Sequence, residues 1–152
     1  MKVLFTPSAE LLPDYSAALE RKWSPNNLRP EAWAEQLEQI QKDPARFLAG
    51  QSDRAAEGPP VALPDGSTVP RLPSFRRWIF KDGFAGSIGL RWQPGTAALP
   101  PTCLGHIGYA VVPWRRRQGL ASAALIELLP EAQDVGLLHV DVTTDAHNHA
   151  SP

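Results

Sequence analysis

One cysteine, Cys103, stands among the 152 residues. It excludes an internal disulfide, and nothing in the chain points to an oxidising compartment. Long hydrophobic runs are lacking as well. No stretch approaches the roughly 20 apolar residues a membrane helix needs, and the opening Met1–Pro7 is too short an apolar run for a signal peptide. Neither sign of charge is in excess: the formal net charge is −1, which excludes the strongly basic footprint of a nucleic-acid coat. Neither the Walker-type Gly-x-x-x-x-Gly-Lys nor the Rossmann Gly-x-Gly-x-x-Gly occurs, so the two commonest nucleotide-binding patterns are set aside. These absences lead us to expect a cytoplasmic domain whose partners are neither nucleic acid nor membrane.

What is present describes one domain, residues 1–152, long enough to bury a core. Sixteen prolines exceed the usual share of about 5%. They cluster at Pro59-Pro60, Pro64, Pro70, Pro73, Pro94 and Pro100-Pro101, marking loops between short apolar and aromatic runs. Val3–Phe5 predicts a first strand. Ser8 is placed to cap a helix reaching about Lys22, with Leu11, Leu12, Tyr15 and Leu19 at helical spacing and Pro13 early enough to be tolerated. A second helix is predicted from Pro30 to about Lys42, with Trp33, Leu37 and Ile40 on one face. Residues 50–73 read as a long loop dividing this N-terminal part, 1–49, from a core at 74–152.

In that core, strands Phe75–Lys81 and Phe84–Trp92 flank the hairpin signal Asp82-Gly83. A loop, Gln93–Leu104, leads to a strand Gly105–Val112. A helix from Gly119 to about Val135 follows, closed by Gly136, and Leu137–Thr144 reads as a last strand. Pro130 falls inside that helix and should kink it, at about 3 kcal/mol if unrelieved. The order predicts an α/β (α+β) domain with a mixed, largely antiparallel central sheet flanked by helices.

The run Gly108-Tyr109-Ala110-Val111-Val112-Pro113-Trp114-Arg115-Arg116-Arg117-Gln118-Gly119-Leu120-Ala121 carries the chemistry. An apolar strand stops at a proline, an Arg-rich loop follows, and a glycine opens an Ala/Leu-rich helix. Free amides at a positive helix end are a seat for an anion such as a pyrophosphate. The amides of Arg117, Gln118, Gly119, Leu120, Ala121 and Ser122 are placed to supply it, and the lack of a side chain at Gly119 lets the backbone approach phosphate. Taken alone, three arginines would favour a solvated basic loop or a small nucleic-acid patch.

Arg116-x-x-Gly119-x-Ala121 resembles the acyl-CoA-binding signature of the GCN5-related N-acetyltransferase (GNAT) superfamily. The similarity extends over residues 60–151: Trp78–Arg91 is similar to the family's central hairpin, Gly105–Tyr109 to its fourth strand, and Gly136 through Asn148-x-x-Ser151 to its fifth strand and following Asn and Ser. The resemblance implies acetyl-CoA as acyl donor, with no metal, and a small-molecule or peptide amine as acceptor. It implies that the pantetheine arm pairs with the edge Ala110-Val111-Val112, and that the amide of Val111 or Val112 polarises the acyl carbonyl. Coenzyme-binding residues would be Val111, Val112, Arg116, Arg117, Gln118, Gly119, Ala121, Ser122 and Asn148.

The catalytic groups are less evident. His106 is a weak candidate for a base or a water relay, against the plainer role of a hydrogen-bonded strand histidine. Alternation puts Tyr109 on the opposite face from His106. Glu127, on the predicted coenzyme helix, is expected to be exposed. Members of the family often use a tyrosine after the Asn/Ser segment, and they continue with a further helix and strands; this chain ends at Pro152. Either it is a truncated product or a partner, a homodimer's second copy included, supplies the missing part. His139, Asp141, Asp145, His147 and His149 follow no recognised metal-ligand spacing, and Cys103 has no evident base partner. Two readings compete with an enzyme: a coenzyme-binding remnant or regulatory protein, and an interaction domain using an exposed strand edge and the Trp residues.

Overall fold

Two long strands and one helix organise the chain. The computed structural model describes residues 2–26, 29–62, 65–93, 106–116, 118–137 and 140. In chain order the elements are β1 (Leu4–Phe5), α1 (Leu12–Glu20), α2 (Ala32–Lys42), α3 (Pro44–Ala49), β2 (Ser52–Asp53), β3 (Val61–Ala62) and β4 (Thr68–Val69). Then come β5 (Ser74–Phe80), β6 (Phe84–Arg91), β7 (Ile107–Val111), a 3-10 turn at Pro113–Arg115 and α4 (Leu120–Asp134). The main sheet runs β1-β5-β6-β7, β2 adds to β5, and β3 and β4 form a separate hairpin. Every described strand pair is antiparallel, and helices flank the sheet, as the α/β (α+β) reading expects.

Period-two alternation in β5, β6 and β7 sends side chains to two different cores. On one face Phe75, Ile79, Ile88, Leu90, Ile107 and Tyr109 meet Leu120, Ala124, Leu128 and Ala132 of α4. On the other, Trp78, Phe84, Ala110 and Val112 meet Leu12, Tyr15, Leu19, Trp23 and Phe47. Tyr15 stacks on Trp78 with centroids 4.5 Å apart. Each large side chain fully buried here contributes about 1.5–3 kcal/mol.

Several local expectations need correction. Helix α1 starts at Leu12, because Ser8 closes a preceding turn instead: Leu11 N donates to Ser8 O at 3.2 Å and to its Oγ at 3.3 Å. Pro13 then sits in the first turn, where its missing donor costs nothing. Helix α2 begins at Ala32, not Pro30. Helix α3 was not foreseen, although Asp43 is a regular N-cap, accepting from Arg46 N at 3.1 Å, with Pro44 next. Residues 50–73 are not a loop throughout. Asp53 gathers the amides of Glu57 (2.7 Å) and Gly58 (3.0 Å), Asp65 accepts from Ser67 N at 2.9 Å, and these side-chain turns let β2, β3 and β4 form in polar sequence.

Helix α4 passes through Pro130 unbroken. The carbonyl that Pro130 leaves unserved belongs to Ile126, which is 67% exposed, so water can take that bond. Glu127 is not exposed as expected. Its carboxylate accepts from Val3 N at 2.6 Å and Leu4 N at 3.3 Å, tying α4 to β1. Arg77 and Glu131, 2.7 Å apart, tie α4 to β5. Gly86 fixes the approach of β6 to β7: a Cβ there would lie 2.2 Å from Ala110 O. The predicted last strand lies outside the described residues apart from Leu137, which is buried, and Val140, which packs on the α4 core.

Candidate functional site

The site is built where β7 hands over to α4. Val112 N donates to Ala85 O at 2.8 Å. Antiparallel pairing alternates, so the backbone groups of Val112, Ala110 and Gly108 face β6, and those of Val111 face the outer edge. Of the two amides named from the sequence, that of Val112 is therefore taken up by the sheet, and that of Val111 points outward. Among the described residues no strand pairs with this outer edge. The Val111 carbonyl there accepts from Arg116 Nε at 3.3 Å.

Pro113 ends the strand, and the chain turns through Pro113–Arg115 to Gly119. Gly119 has φ 71 and ψ 14, a left-handed conformation that costs any other L-residue about 1–2 kcal/mol. It redirects the backbone into α4, and a Cβ on it would meet nothing within 4 Å. Among the described residues no side chain caps the helix, no acidic residue lies in its first turn, and the first helical bond there is Ala123 N to Gly119 O at 3.1 Å. The amides of Leu120, Ala121 and Ser122 precede that bond, so they lie at the positive end of the helix dipole, and no carboxylate among the described residues accepts from them.

The loop is held from two sides. The Arg21 guanidinium lies 3.5 Å over the ring of Trp114, joining the loop to α1. Arg115 donates to Lys81 O and, at 3.4 Å, to Asp82 O in the β5–β6 turn, and its Nε reaches Gln118 Oε1 at 3.2 Å. Gln118, Gly119 and Ser122 are exposed, Ala121 is half-buried, and Arg116 is exposed beside them. The fold thus brings Val111, Arg116, Gln118, Gly119, Ala121 and Ser122 to one edge. Arg117 and Asn148 lie outside the described residues.

Residues 34–151 match the Acetyltransferase (GNAT) family. The chain belongs to that family. No curated protein matches this GNAT chain in sequence. Among solved structures it is similar to the microcin C7 self-immunity acetyltransferase MccE, determined in complex with acetyl-CoA and AMP, at 12% identity and a TM-score of 0.48. That alignment covers 88% of this chain and 63% of MccE, so the chain spans less than two thirds of that structure.

The candidate base behaves differently from the coenzyme edge. His106 is fully buried on the α1–α3 face of the sheet, and its carbonyl accepts from Arg91 N at 2.8 Å. Tyr109 lies on the α4 face, as alternation requires, and burial pushes its phenol up. Cys103, His139, Asp141, Asp145, His147 and His149 lie outside the described residues; among those described, no group of His, Cys, Asp and Glu could hold a metal. No described helix is long and apolar enough to cross a membrane.

Proposed function

We propose that this chain binds acetyl-CoA and transfers its acetyl group directly to an amine. The observation that carries this reading is the uncapped start of α4, opened by a left-handed Gly119, beside the outward amide of Val111. The diphosphate would sit on the amides of Leu120, Ala121 and Ser122, with Arg116 and Arg117 beside it. With its phosphates fixed beyond the C-terminal end of β7, the pantetheine arm runs back along the outer edge past Val111 towards Ile107, pairing as an added strand. An outward amide on that edge would stabilise the oxyanion formed from the acyl carbonyl.

The amine nitrogen attacks the thioester carbonyl carbon. A C–N bond forms, the C–S bond breaks, and the departing thiolate takes up the proton that nitrogen sheds, giving an amide and free coenzyme thiol. Helix α4 seals one face of the sheet, so the acceptor approaches from the α1–α3 face. We place the reaction in the cytoplasm and invoke no metal for it.

Two measurements test this. Acetyl-CoA at 100-fold over its dissociation constant should stabilise the protein by about 2.7 kcal/mol. Thiol release with a panel of amines then distinguishes turnover from a coenzyme-binding protein without activity. No thermal shift at saturating acetyl-CoA would remove the coenzyme reading altogether.

A further inference from the structure

The α1–α3 face of the sheet is made of rows that change character along the strands. Trp78, Ser87 and Ala110 form one row, Arg76, Gly89 and Gly108 the next, and Ser74, Arg91 and His106 the third. The first row lies under the aromatic core. The second has two glycines for a floor, both only half-buried. The Arg76 side chain is laid across this floor: its Cγ and Nη1 would be 3.3 and 3.7 Å from a Cβ on Gly89. Among the described residues a Cβ on the adjacent Gly108 would meet nothing within 4 Å, so these leave space beside the guanidinium on the β7 side.

The charge over this glycine floor is one-sided. Arg76 pairs with no carboxylate among the described residues, whose ion pairs join other arginines and a lysine. It is solvent-exposed, yet desolvation by surrounding protein, then the charges of Arg91 and Arg71, hold its guanidinium below the usual value, against an opposing effect of Tyr15. In the row above, Ser87 Oγ and Trp78 Nε1 are fully buried polar atoms with no partner among the described residues. Such atoms ordinarily find one.

From Arg76 and the glycine floor beside β7, we infer that the acceptor is an amine bearing an oxyanion, a carboxylate or a phosphoryl group, which the Arg76 guanidinium binds over Gly108. This rests on the proposed coenzyme reading, because the arm running down the β7 edge brings its thioester towards the same row. Gly108 leaves room for the acceptor, and Arg76 orients it by its anion. A planar guanidinium meets an oxyanion through two parallel hydrogen bonds, giving direction as well as charge.

The test uses the full chain, saturating coenzyme and three matched series: short ω-amino acids, their neutral amides, and the corresponding aminoalkylphosphonates. Binding is measured by calorimetry with CoA present, and kcat/KM by thiol release. One anionic series should be favoured over the amides by about 10- to 100-fold, the worth of a charge-assisted bond. Arg76→Gln should erase that preference through KM or Kd and leave acetyl-CoA affinity and amide binding unchanged; Arg76→Lys should keep part of it. The better anionic series identifies the oxyanion, and Arg76-dependent binding without turnover still supports the site. Equal binding of amides and anions, or equal losses for both in Arg76→Gln, overturns the inference. A normal acetyl-CoA shift alongside that result sinks this inference alone; absence of the shift sinks the coenzyme reading instead.

Discussion

The two faces of one sheet are built from different materials. Against α4 the contacts are mostly aliphatic, with Ile79, Ile88, Leu90, Ile107, Leu120 and Leu128 buried together and two carboxylates, Glu127 and Glu131, pinning the helix to β1 and β5. Against α1–α3 they are aromatic: Tyr15, Trp23, Phe47, Trp78 and Phe84. The aliphatic face extends along the whole helix and fixes its first turn in place. The aromatic face stops at the row of Trp78 and Ala110; beyond it Gly89 and Gly108 are half-buried and Arg76 is exposed. One face supports the proposed coenzyme seat; the other carries the row proposed to receive the acceptor.

That contrast can be broken by substitution. The largest effect should come where the faces share a backbone, at Gly86. Its Ala variant would force a Cβ against Ala110 O, costing about 3 kcal/mol or more, read as a lowered urea midpoint. A midpoint within experimental error of the parent would show that β6 and β7 do not approach as closely as described. Next come paired truncations. Leu128→Ala should cost about 2–5 kcal/mol, and Phe47→Ala about 3–5 kcal/mol. Leu128→Ala should also weaken acetyl-CoA binding by loosening α4, and Phe47→Ala should leave it alone. Equal effects on affinity would mean the faces are not separate in function.

Gly119→Glu should cancel the coenzyme-induced stabilisation of about 2.7 kcal/mol, since it sets a carboxylate against the phosphates. Gly119→Ala is its control: the left-handed backbone costs about 1–2 kcal/mol of stability, while binding persists. Retained binding in the Glu variant would misplace the seat. The smallest effect concerns Tyr15, whose hydroxyl donates to Gln36 Oε1. Burial raises its phenol above 10.0, outweighing the lowering by Arg76 and Gln36. A raised folded pKa means the neutral phenol is favoured in the fold, so its contribution is intact below pH 10 and lost as pH rises beyond it. Tyr15→Phe should cost about 1 kcal/mol at neutral pH and flatten that alkaline decline. An identical decline in both proteins above pH 10 would assign it to other groups.

How much of this was legible beforehand depended on whether a signal was local. Gly119 could be placed because a strand, a proline and a glycine follow one another within a few residues. The β5–β6 hairpin was equally plain, since Asp82-Gly83 separates two apolar runs; both residues adopt positive φ. Helix α3 is also locally signalled, by the cap Asp43 and Pro44. The choice between Val111 and Val112 was not legible at all. It is set by which residue of β7 meets Ala85, a pairing between distant segments that no periodicity within β7 reveals. Glu127 was misjudged for the same reason: a carboxylate on a helix reads as solvated until the amides of residues 3 and 4 are brought to it.

That contact joins residues 124 positions apart in the chain. During synthesis, the first strand leaves the ribosome long before its carboxylate partner exists, and must wait with its amides in water until α4 emerges. Closing so long a loop is entropically slow, so the edge at β1 should be among the last parts of the molecule to lock. Until then the opening residues remain open to chaperones and proteases.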